Sequence, residues 1–343
     1  MFKMFEKEAV LFFYAETPIH MGAGQSVSYV DLPIQRERHT NFPTLWSSGI
    51  KGVIREVAYR RWEDKEKVNV IFGPEDGSEQ YASCISITDA KILLYPVRSV
   101  KGVFAWITCP LVLKRFKEDL KSVGISFLSE ILELEDEDKE KIIVSDDSVL
   151  KINQKTVALE EFMFDIKDKN AKPIAEFVEK YVPQNSLTVS LSSHLAIVHD
   201  DVFKDFVNYA VEVRTRIRID QTAGIVKERA LFSEEFVPSE SVFYSLLFIG
   251  DPYFGLKKEI YYKLKELKVN NKEKTFQDIY NYLSDEERKE LGKKIKIIKK
   301  AYNGKFFTAE EIKTSLGFLN NNIIQLGGDE TTGKGFMRVK FCG

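Results

Sequence analysis

The sequence VEVRTRIRID at residues 211–220 alternates apolar and polar side chains with a strict period of two. A strand has this period, whereas a helix with one apolar face needs steps of three and four. Three alternate positions of the polar face are basic: Arg214, Arg216 and Arg218. Residues 221–224 supply turn chemistry, and a second strand-like run follows them. The sequence therefore predicts a two-stranded ribbon over 211–238, with a basic edge whose arginines have no acidic partners.

Strands and helices interleave along the rest of the chain, which favours an α+β fold with a mainly antiparallel sheet. The run AVLFFYA at 9–15 predicts a buried strand. Apolar residues at steps of three and four predict a helix that begins at Ser47 or Ser48, both of which are good N-caps. Further strands are predicted at 84–89, 91–95, 102–108, 188–191, 195–198 and 336–341, and further helices at 112–120 and 202–211.

The length of the chain allows two ordinary domains or one domain with large insertions. We expect a single domain over residues 1–343. Four segments are expected to depart from its core: a long polar loop at 16–46, an acidic insertion at 121–183, the ribbon at 211–238, and a lysine-rich helical insertion at 256–316.

The charge of the chain is nearly balanced, with a net charge of −2 at pH 7. This balance argues against a protein whose whole surface coats nucleic acid, but it does not exclude local binding of RNA. Acidic residues concentrate at 133–138 and basic residues at 257–305. Two interpretations remain open: a pair of solvated surface segments, or a polar molecule whose copies stack with acidic face against basic face.

The sequence carries no targeting feature that points away from the cytoplasm. No apolar run reaches the ~18 residues that a membrane span needs. Glu6 and Glu8 precede the first short apolar stretch, which argues against a secretory signal. Three cysteines, Cys84, Cys109 and Cys342, are far apart and form no C-x-x-C pair. Because this pattern suits neither a disulfide framework nor a zinc site, we expect a reducing, cytoplasmic setting and no membrane partner.

The glycine-rich string GGDETTGKG at 327–335 matches the first part of a phosphate-binding P-loop. A P-loop needs Ser or Thr after its lysine to hold magnesium, but Gly335 stands there, and a strand is predicted next where a helix is required. Hydrolysis of ATP or GTP is therefore disfavoured. Backbone N–H groups of Gly327 and Gly328, with the charge of Lys334, predict contacts to an RNA backbone. A tight turn that merely needs glycine is the alternative.

The polar loop at 16–46 brings together residue types suited to cutting RNA. Strand scission needs an activated 2′-hydroxyl, a phosphate held in line, and neutralisation of developing charge by metal or cations. Asp31 is the candidate base or metal ligand, with Arg36 and Arg38 as nearby cations. His20 and His39 are candidates for an acid–base pair, although both also suit structural roles. For Asp31 the alternative is an ordinary turn former.

Lys51 and Arg55 lie four residues apart in the predicted helix that begins near Ser47. This spacing places both cations on one face, where they are suited to grip successive phosphates. An ordinary solvated helix face is the alternative. The basic edge of the ribbon leaves the same two interpretations open, with nucleic acid favoured by the repeated charge of one sign.

Several strings resemble the CRISPR-associated RAMP superfamily and, more narrowly, the backbone subunit of its type III-B (Cmr) effector complex. The resemblance rests on TPIHMGAG at 17–24, VDLPIQRE at 30–37, SGIKGVIR at 48–55, KGVFAWIT at 101–108, the ribbon segment 214–238, and the glycine-rich loop 327–335. The second string is the most specific of these, and the glycine-rich loop alone is weak. The acidic and lysine-rich segments carry no recognisable signature.

The resemblance implies a ferredoxin-like (RRM-like) palm, with the ribbon as a β-hairpin thumb that wedges into the guide–target duplex. It implies several copies in a filament along a guide CRISPR RNA, together with other effector subunits. Target single-stranded RNA would be cut once per subunit, in a reaction that depends on a divalent metal ion, Mg²⁺ or Mn²⁺. In guided systems base pairing carries the sequence specificity, so the protein need only grip backbone and shape. A near-neutral net charge is compatible with that task.

The resemblance also assigns roles to individual residues. Asp31 matches the essential aspartate and is expected to act as metal ligand or base. His20 matches a loop histidine near the scissile phosphate. Lys51 and Arg55 match basic positions that hold the guide. A supporting glutamate is expected at Glu235, with Glu228 and Glu234 as alternatives.

Two further functions within the superfamily remain open. One is a guide-RNA scaffold without catalysis. The other is an endonuclease that processes guide RNA and needs no metal.

Overall fold

The computed structural model describes residues 5–26, 29–75, 82–127, 133–219, 226–252, 256–270 and 274–343. The strands are β1 (Lys7–Ala15), β2 (Thr44–Leu45), β3 (Ile85–Ile87), β4 (Ala90–Arg98), β5 (Phe104–Thr108), β6 (Lys141–Val144), β7 (Lys151–Asn153), β8 (Thr156–Leu159), β9 (Phe162–Asn170), β10 (Leu195–Ile197), β11 (Glu212–Ile219), β12 (Val226–Phe236), β13 (Val242–Ile249), β14 (Ile323–Gln325) and β15 (Phe336–Cys342). The helices are α1 (Ser47–Trp62), α2 (Lys65–Phe72), α3 (Pro110–Ser122), α4 (Lys172–Glu179), α5 (Leu191–His194), α6 (Asp200–Tyr209), α7 (Lys258–Asn270), α8 (Phe276–Tyr280), α9 (Asp285–Leu291), α10 (Ile295–Asn303) and α11 (Ala309–Leu316).

One large sheet and many helices confirm the predicted α+β class. The sheet runs in the order β14-β15-β1-β13-β4-β5-β10-β6-β9-β8-β7, with β2 paired to β4 and β3 paired to β13. Most pairs are antiparallel, but β5 with β10 and β6 with β9 are parallel, so the sheet is mixed. Strand β1 lies between β13 and β15, and its residues 9–15 are buried. Burial on both faces explains the unbroken apolar run there.

Helix α1 begins near Ser47, as predicted. Neither Ser47 nor Ser48 is its N-cap, contrary to the prediction. The capping position is Trp46, and Ser47 and Ser48 lie inside the first turn. Asp89, in the turn between β3 and β4, accepts the Ser47 N–H at 2.7 Å. A distant carboxylate therefore satisfies a helix terminus that local side chains usually satisfy. The predicted apolar stripe is buried at Ile50, Ile54 and Ala58.

One segment contains strands that the sequence did not predict, and another differs from its predicted structure. The expected insertion at 121–183 supplies β6, β7, β8 and β9, which extend the main sheet. The predicted strand at 188–191 is wrong, because residues 188–190 form a 3₁₀ turn that leads into α5. In that turn Thr188 donates its hydroxyl to the Pro183 carbonyl at 3.1 Å, and Ser190 donates to the Leu187 carbonyl at 2.7 Å. Hydroxyl groups that bond the local backbone favour turns over strands.

The lysine-rich segment 256–316 is helical in its described part, as predicted, and contains α7 to α11. It packs on the half of the sheet that holds β1 and β13, which α11 contacts. Lys300 of α10 binds Asp64 and Glu66 at 2.9 and 2.8 Å, which joins this segment to α2. No described helix combines the length and the apolar character that a membrane crossing requires.

The turn between β12 and β13 contains a strained and poorly solvated glutamate. Glu240 has φ +71°, its N–H donates to the Ala15 carbonyl at 2.8 Å, and its carbonyl accepts the Trp106 indole N–H at 2.8 Å. Its Oε2 is buried and has no hydrogen-bond partner among the described residues. Burial raises the pKa of Glu240 to about 7.

Glu240→Gln is expected to stabilise the protein in a pH-dependent way. The folded state binds the Glu240 proton more tightly than the unfolded chain, whose pKa is about 4.3, so stability falls as pH rises from about 4 to about 7. After a discount for partial solvent access, the free energy of unfolding at pH 8 should rise by about 1 kcal/mol. At pH 4 no difference is expected. Urea denaturation at both pH values measures this, and an equal gain at both would contradict it.

Candidate functional site

The polar loop at 16–46 is fastened along the base of the hairpin formed by β11 and β12. Isolated bridges pair Ile19 with Val237 and Leu32 with Glu234, and within the loop Gly22 pairs with Ile34. These backbone bonds fix the path of the loop, in which the structure describes the short strand β2. The loop and the C-terminal half of β12 therefore form one surface, although about 200 residues separate them in sequence.

Asp31 is exposed on this surface and is held by Ser233 of β12. Its Oδ2 accepts the Ser233 N–H at 2.8 Å and the Ser233 hydroxyl at 2.9 Å, and the Asp31 N–H donates back to Ser233 Oγ at 3.1 Å. The Ser233 N–H, aided by its hydroxyl, lowers the pKa of the Asp31 carboxyl. Both bonds end on one oxygen, so Ser233 leaves the other oxygen unused. The side chain is thus an ionised carboxylate of fixed position that faces solvent.

Glu235 lies two residues further along β12 and is buried. Arg36 Nη2 donates to its Oε1 at 2.5 Å, and the Ile34 N–H donates to its Oε2 at 2.9 Å. The exposed fraction is 9% for the Glu235 side chain and 14% for that of Arg36. Arg36 Nη1 also donates to the Val207 carbonyl at 3.0 Å. The predicted RNA contact of Arg36 conflicts with this geometry, because its guanidinium donates hydrogen bonds to groups inside the protein.

His20 is buried against the same strand. Its Nδ1 lies 2.7 Å from the Glu235 carbonyl oxygen, which can only accept, so the Nδ1–H donates to it. The residues that anchor Asp31 and His20, Ser233 and Glu235, are alternate positions of one strand, roughly 7 Å apart. His39 is exposed and lies 3.8 Å from Glu37 instead. The surface thus combines an ionised aspartate with a neighbouring, oriented histidine.

The glycine-rich loop braces His20, and Gly328, one of the two glycines predicted to contact RNA, uses its N–H for this purpose. The Gly328 N–H donates to the His20 carbonyl at 2.8 Å, and the Gly335 N–H donates to the Pro18 carbonyl at 3.0 Å. The Lys334 N–H donates to the Asp329 carbonyl oxygen at 3.4 Å. Backbone donors used in this way are not free for a phosphate. The loop leads into β15, which agrees with the exclusion of a P-loop.

Gly327→Ala is expected to dislodge this brace. Gly327 has φ +90°, and a Cβ there would lie 2.3 Å from the His20 carbonyl oxygen. Gly333 is a matched control, because it also has a positive φ of +74° but meets nothing within 4 Å. We expect a loss of about 3 kcal/mol in unfolding free energy for Gly327→Ala and about 1 kcal/mol for Gly333→Ala. Denaturant titration compares them, and equal losses would contradict a specific role for the close contact.

Two of the hairpin arginines, Arg214 and Arg216, have acidic partners, contrary to the prediction. Arg214 binds Glu212 at 2.6 Å. Arg216 holds both oxygens of Asp329 at 2.6 Å each and lies 2.7 Å from Glu234. Burial raises the pKa of Glu234, and the neighbouring Asp329 carboxylate raises it further. Asp329 comes from the glycine-rich loop, so the partner of the basic edge is remote in sequence.

These ion pairs join the hairpin to the loop that braces His20. The side chains of Arg218 and Glu228 lie outside the described residues. The apolar face of the hairpin is exposed: Val213 by 51%, Ile217 by 52% and Leu231 by 65%.

The cations of α1 line a separate part of the surface. Arg55 donates to the Gly73 carbonyl and to Asn69 Oδ1, both at 2.6 Å, so part of its guanidinium fixes the end of α2. Lys51 is half-buried and makes no ion pair with any described residue. Burial lowers its pKa, and the charge of Arg55 adds to the effect. An uncompensated amine beside a guanidinium favours an incoming anion. Arg38 is exposed.

The donor atoms near Asp31 decide whether the site suits a divalent metal. In the described ranges, no group of three or more His, Cys, Asp or Glu gathers in a way that could hold a metal ion. Asp31 supplies one exposed carboxylate. Mg²⁺ and Mn²⁺ bind through one or two carboxylates when phosphate oxygens and water complete the shell. The residues therefore fit a metal shared with RNA and do not fit one held by the protein alone.

Comparison with known proteins agrees with the architecture. A family model described as the RAMP superfamily matches residues 12–338. The chain therefore belongs to the RAMP superfamily. Among curated proteins it is 36% identical, over 336 residues, to the CRISPR system Cmr endoribonuclease Cmr4 of Pyrococcus furiosus, a match that covers 95% of this chain and 92% of that protein.

Further similarities point the same way. A crystal structure of oligomeric Cmr4 from Pyrococcus furiosus matches with a TM-score of 0.64 and 31% identity, and covers 98% of both chains. A chain in a cryo-EM structure of the type III-B Cmr-beta bound to cognate target RNA matches with a TM-score of 0.66 and covers 98% of both chains, but at 21% identity this likeness concerns the fold alone. The resemblance to the RAMP superfamily, and to its Cmr members, is confirmed by the family model and by the relative from Pyrococcus furiosus.

Proposed function

We propose that this chain is the guide-RNA-binding backbone subunit of a cytoplasmic CRISPR type III-B effector complex that cuts guide-paired, single-stranded target RNA at regular intervals. One observation carries the proposal: an exposed, ionised Asp31, fixed by Ser233 at the base of a projecting hairpin. The similarity to a named Cmr endoribonuclease supports it. Its partners are the guide RNA, the target RNA, further copies of itself and other effector subunits.

A ferredoxin-like palm is the core of the proposed single domain. Strands β1, β4, β13 and β15 alternate with helices α1 and α11 in the chain order β1-α1-β4-β13-α11-β15, with other elements inserted. They lie side by side as β15-β1-β13-β4, and each neighbouring pair is antiparallel. This order is that of a ferredoxin-like βαββαβ unit. The hairpin of β11 and β12 is the thumb, and its exposed apolar face suits contact with bases.

Guide RNA is gripped through its backbone in this proposal. Lys51 and Arg55 bind phosphates on one side of the loop, and Arg38 and Lys334 add exposed or half-exposed charge. Arg214, Arg216 and Arg218 belong to the thumb, where RNA phosphates compete with the acidic partners of the first two. Gly327 and Gly328 shape the loop that supports His20. The Gly328 N–H donates to the His20 carbonyl, so the Gly327 N–H is the one that would bind phosphate.

Asp31 carries the chemistry because its lowered pKa keeps it ionised at neutral pH. It accepts the proton of the attacking 2′-hydroxyl or orients that hydroxyl in line with its phosphate. His20 binds near the scissile phosphate through its Nε2 side. Glu235 is a positioning residue, because it ties Arg36 and Ile34 in place. A divalent ion bound at Asp31 would neutralise charge on the phosphate oxygens.

Chelation separates this function from its nearest alternative. With excess EDTA, cutting of target RNA by the assembled complex is expected to fall by at least about 100-fold and to return when Mg²⁺ or Mn²⁺ is restored. The measurement is the rate of cleavage of end-labelled target RNA. If the purified chain cuts repeat RNA at an unchanged rate in EDTA, the chain is a guide-processing enzyme and the proposal fails.

A further inference from the structure

A pocket with a volume of about 700 Å³ opens inside the lysine-rich segment. Its walls come from α7, α10, α11 and the turns that precede α8 and α11. This size lies within the range of about 300–1,000 Å³ that is usual for sites of small molecules. The surface that carries Asp31 is built from the loop at 16–46 and from β12, so the pocket belongs to a different part of the chain.

The charge of the pocket wall is positive. Lys268, Lys274 and Lys305 line the pocket together with one carboxylate, that of Glu311. Lys268 compensates this carboxylate, because its Nζ lies 2.8 and 2.9 Å from the two oxygens of Glu311. Lys274 and Lys305 are exposed, and neither makes an ion pair with a residue in the described ranges. On the wall itself, two positive charges therefore remain without a counterion.

Lys305 is held at the pocket in an unfavourable position. It follows Gly304, the C-cap of α10, and has φ +57°, a conformation that favours glycine over residues with a side chain. Burial lowers the pKa of Lys268, Glu311 partly offsets this effect, and the charge of Lys305 lowers the pKa further. Lys305 thus combines backbone strain with repulsion of a neighbouring amine. An anion bound beside the two amines would relieve the repulsion.

Tyr302 contributes a buried hydrogen-bond donor to the same pocket. The residue is 3% exposed, and its hydroxyl has no hydrogen-bond partner within the part of the chain that is described. Lys268 lies over the Tyr302 ring, with Nζ 4.7 Å from the ring centroid, and donates to the Tyr302 carbonyl at 2.8 Å. The ring is therefore beside the amines. A buried hydroxyl without a protein partner is suited to donate to a ligand oxygen.

We propose that this pocket binds the phosphate monoester of a small ligand of nucleotide size. A phosphate monoester carries a charge of about −1.5 to −2 near pH 7, which matches the uncompensated amines of Lys274 and Lys305. Each phosphodiester group of RNA carries a single negative charge and matches them less well. The Tyr302 hydroxyl donates to a phosphate oxygen.

The rest of the ligand is organic in this proposal. A phosphate group alone would fill only a small part of a pocket of about 700 Å³. Val269, which also lines the pocket and is 54% exposed, supplies apolar surface for a base or a similar group. Sites for small ligands commonly combine apolar surface with a few polar groups that fix the orientation of the ligand.

Titration of the full chain with AMP, without RNA and at low salt, tests the site by calorimetry. One molecule of AMP should bind per chain with a Kd below about 1 mM. Adenosine, which lacks the phosphate, should show no binding at the same concentrations. Inorganic phosphate should bind at least about tenfold more weakly than AMP, because it makes no contact with the apolar surface. Single-stranded RNA with hydroxyl groups at both ends should not displace AMP.

Two variants separate a binding role from a structural one. Lys305→Gly suits the observed φ of +57°, and Tyr302→Phe keeps the buried ring, so neither should lower the thermal midpoint of unfolding. Each should weaken the binding of AMP by at least about tenfold. Lys289→Gln removes an exposed amine of α9 that does not line the pocket, and it should leave the affinity unchanged.

The inference would be overturned if the unaltered chain did not bind AMP, or if both pocket variants bound it with unaltered affinity. Equal affinity for inorganic phosphate would show a site for the free anion, and displacement of AMP by RNA would show a site for a polynucleotide. Either result would also contradict the proposal. No target RNA is cut in this titration, so a failure of the cleavage proposal leaves its result unaffected.

Discussion

Asp31→Asn is expected to lower the rate of target-RNA cleavage by about 10²–10⁴-fold, the range that a positioned acid or base contributes. The substitution removes the charge and the basic oxygen but keeps a carbonyl that can accept the Ser233 N–H and hydroxyl. Assembly with guide RNA and the affinity for target RNA should therefore change little. Single-turnover cleavage and a binding titration, each with saturating guide, measure the two quantities separately.

Asp285→Asn is a matched control for that substitution. Asp285 is an aspartate of α9 that is 98% exposed, and its contact with Arg288 is long, at 3.3 Å. A complex that carries Asp285→Asn should cut RNA at the same rate as the unaltered complex. Unchanged cleavage by Asp31→Asn would contradict the catalytic assignment and favour a scaffold without catalysis. Loss of target binding in step with cleavage would show that Asp31 holds RNA and does not act on it.

Glu235→Ala is expected to lower the free energy of unfolding by about 3–5 kcal/mol, because it leaves the buried guanidinium of Arg36 without its charge partner. It also removes the acceptor of the Ile34 N–H, so the loop that carries Asp31 loses two of its attachments. Denaturant titration measures the stability. Replacement of both partners, Arg36→Met with Glu235→Met, should recover part of the loss, since no unpaired charge remains.

The conservative variant Glu235→Gln separates a positioning role from a catalytic one. Glutamine keeps an acceptor for Ile34 or Arg36, so the folded variant should cut RNA within about tenfold of the unaltered rate. A loss as large as that expected for Asp31→Asn, in a variant that is fully folded, would make Glu235 a catalytic residue and contradict its positioning role.

Local pattern predicted the elements whose burial follows from their own sequence. The run at 9–15 lies in strand β1, the stripe of α1 is buried, and the predicted alternation contains strand β11 (Glu212–Ile219). The exposed loop position of Asp31 also agrees with its polar surroundings in sequence. These features depend on the period of the apolar residues. That period can be recognised within a short stretch of sequence, a few helical turns or a few strand residues long.

Long-range partners could not be predicted in the same way. Ser233 holds Asp31 across 202 residues, and Asp329 holds Arg216 across 113. Neither contact leaves a periodic signal. The residue types of Ser233 and Asp329 give a weak hint, because a serine and an aspartate are able to bind charged side chains. The partner of the Gly328 N–H could not be predicted for the same reason, because it is the carbonyl of His20, which is distant in sequence.

The fragment pattern of end-labelled target RNA, cut by complexes assembled on guides of different lengths, tests the central claim most directly. If one exposed carboxylate per protomer meets the RNA, cuts will fall at a constant spacing, and each added protomer will add one cut. A single cut, irregular spacing, or a number of cuts independent of the number of protomers would contradict the account.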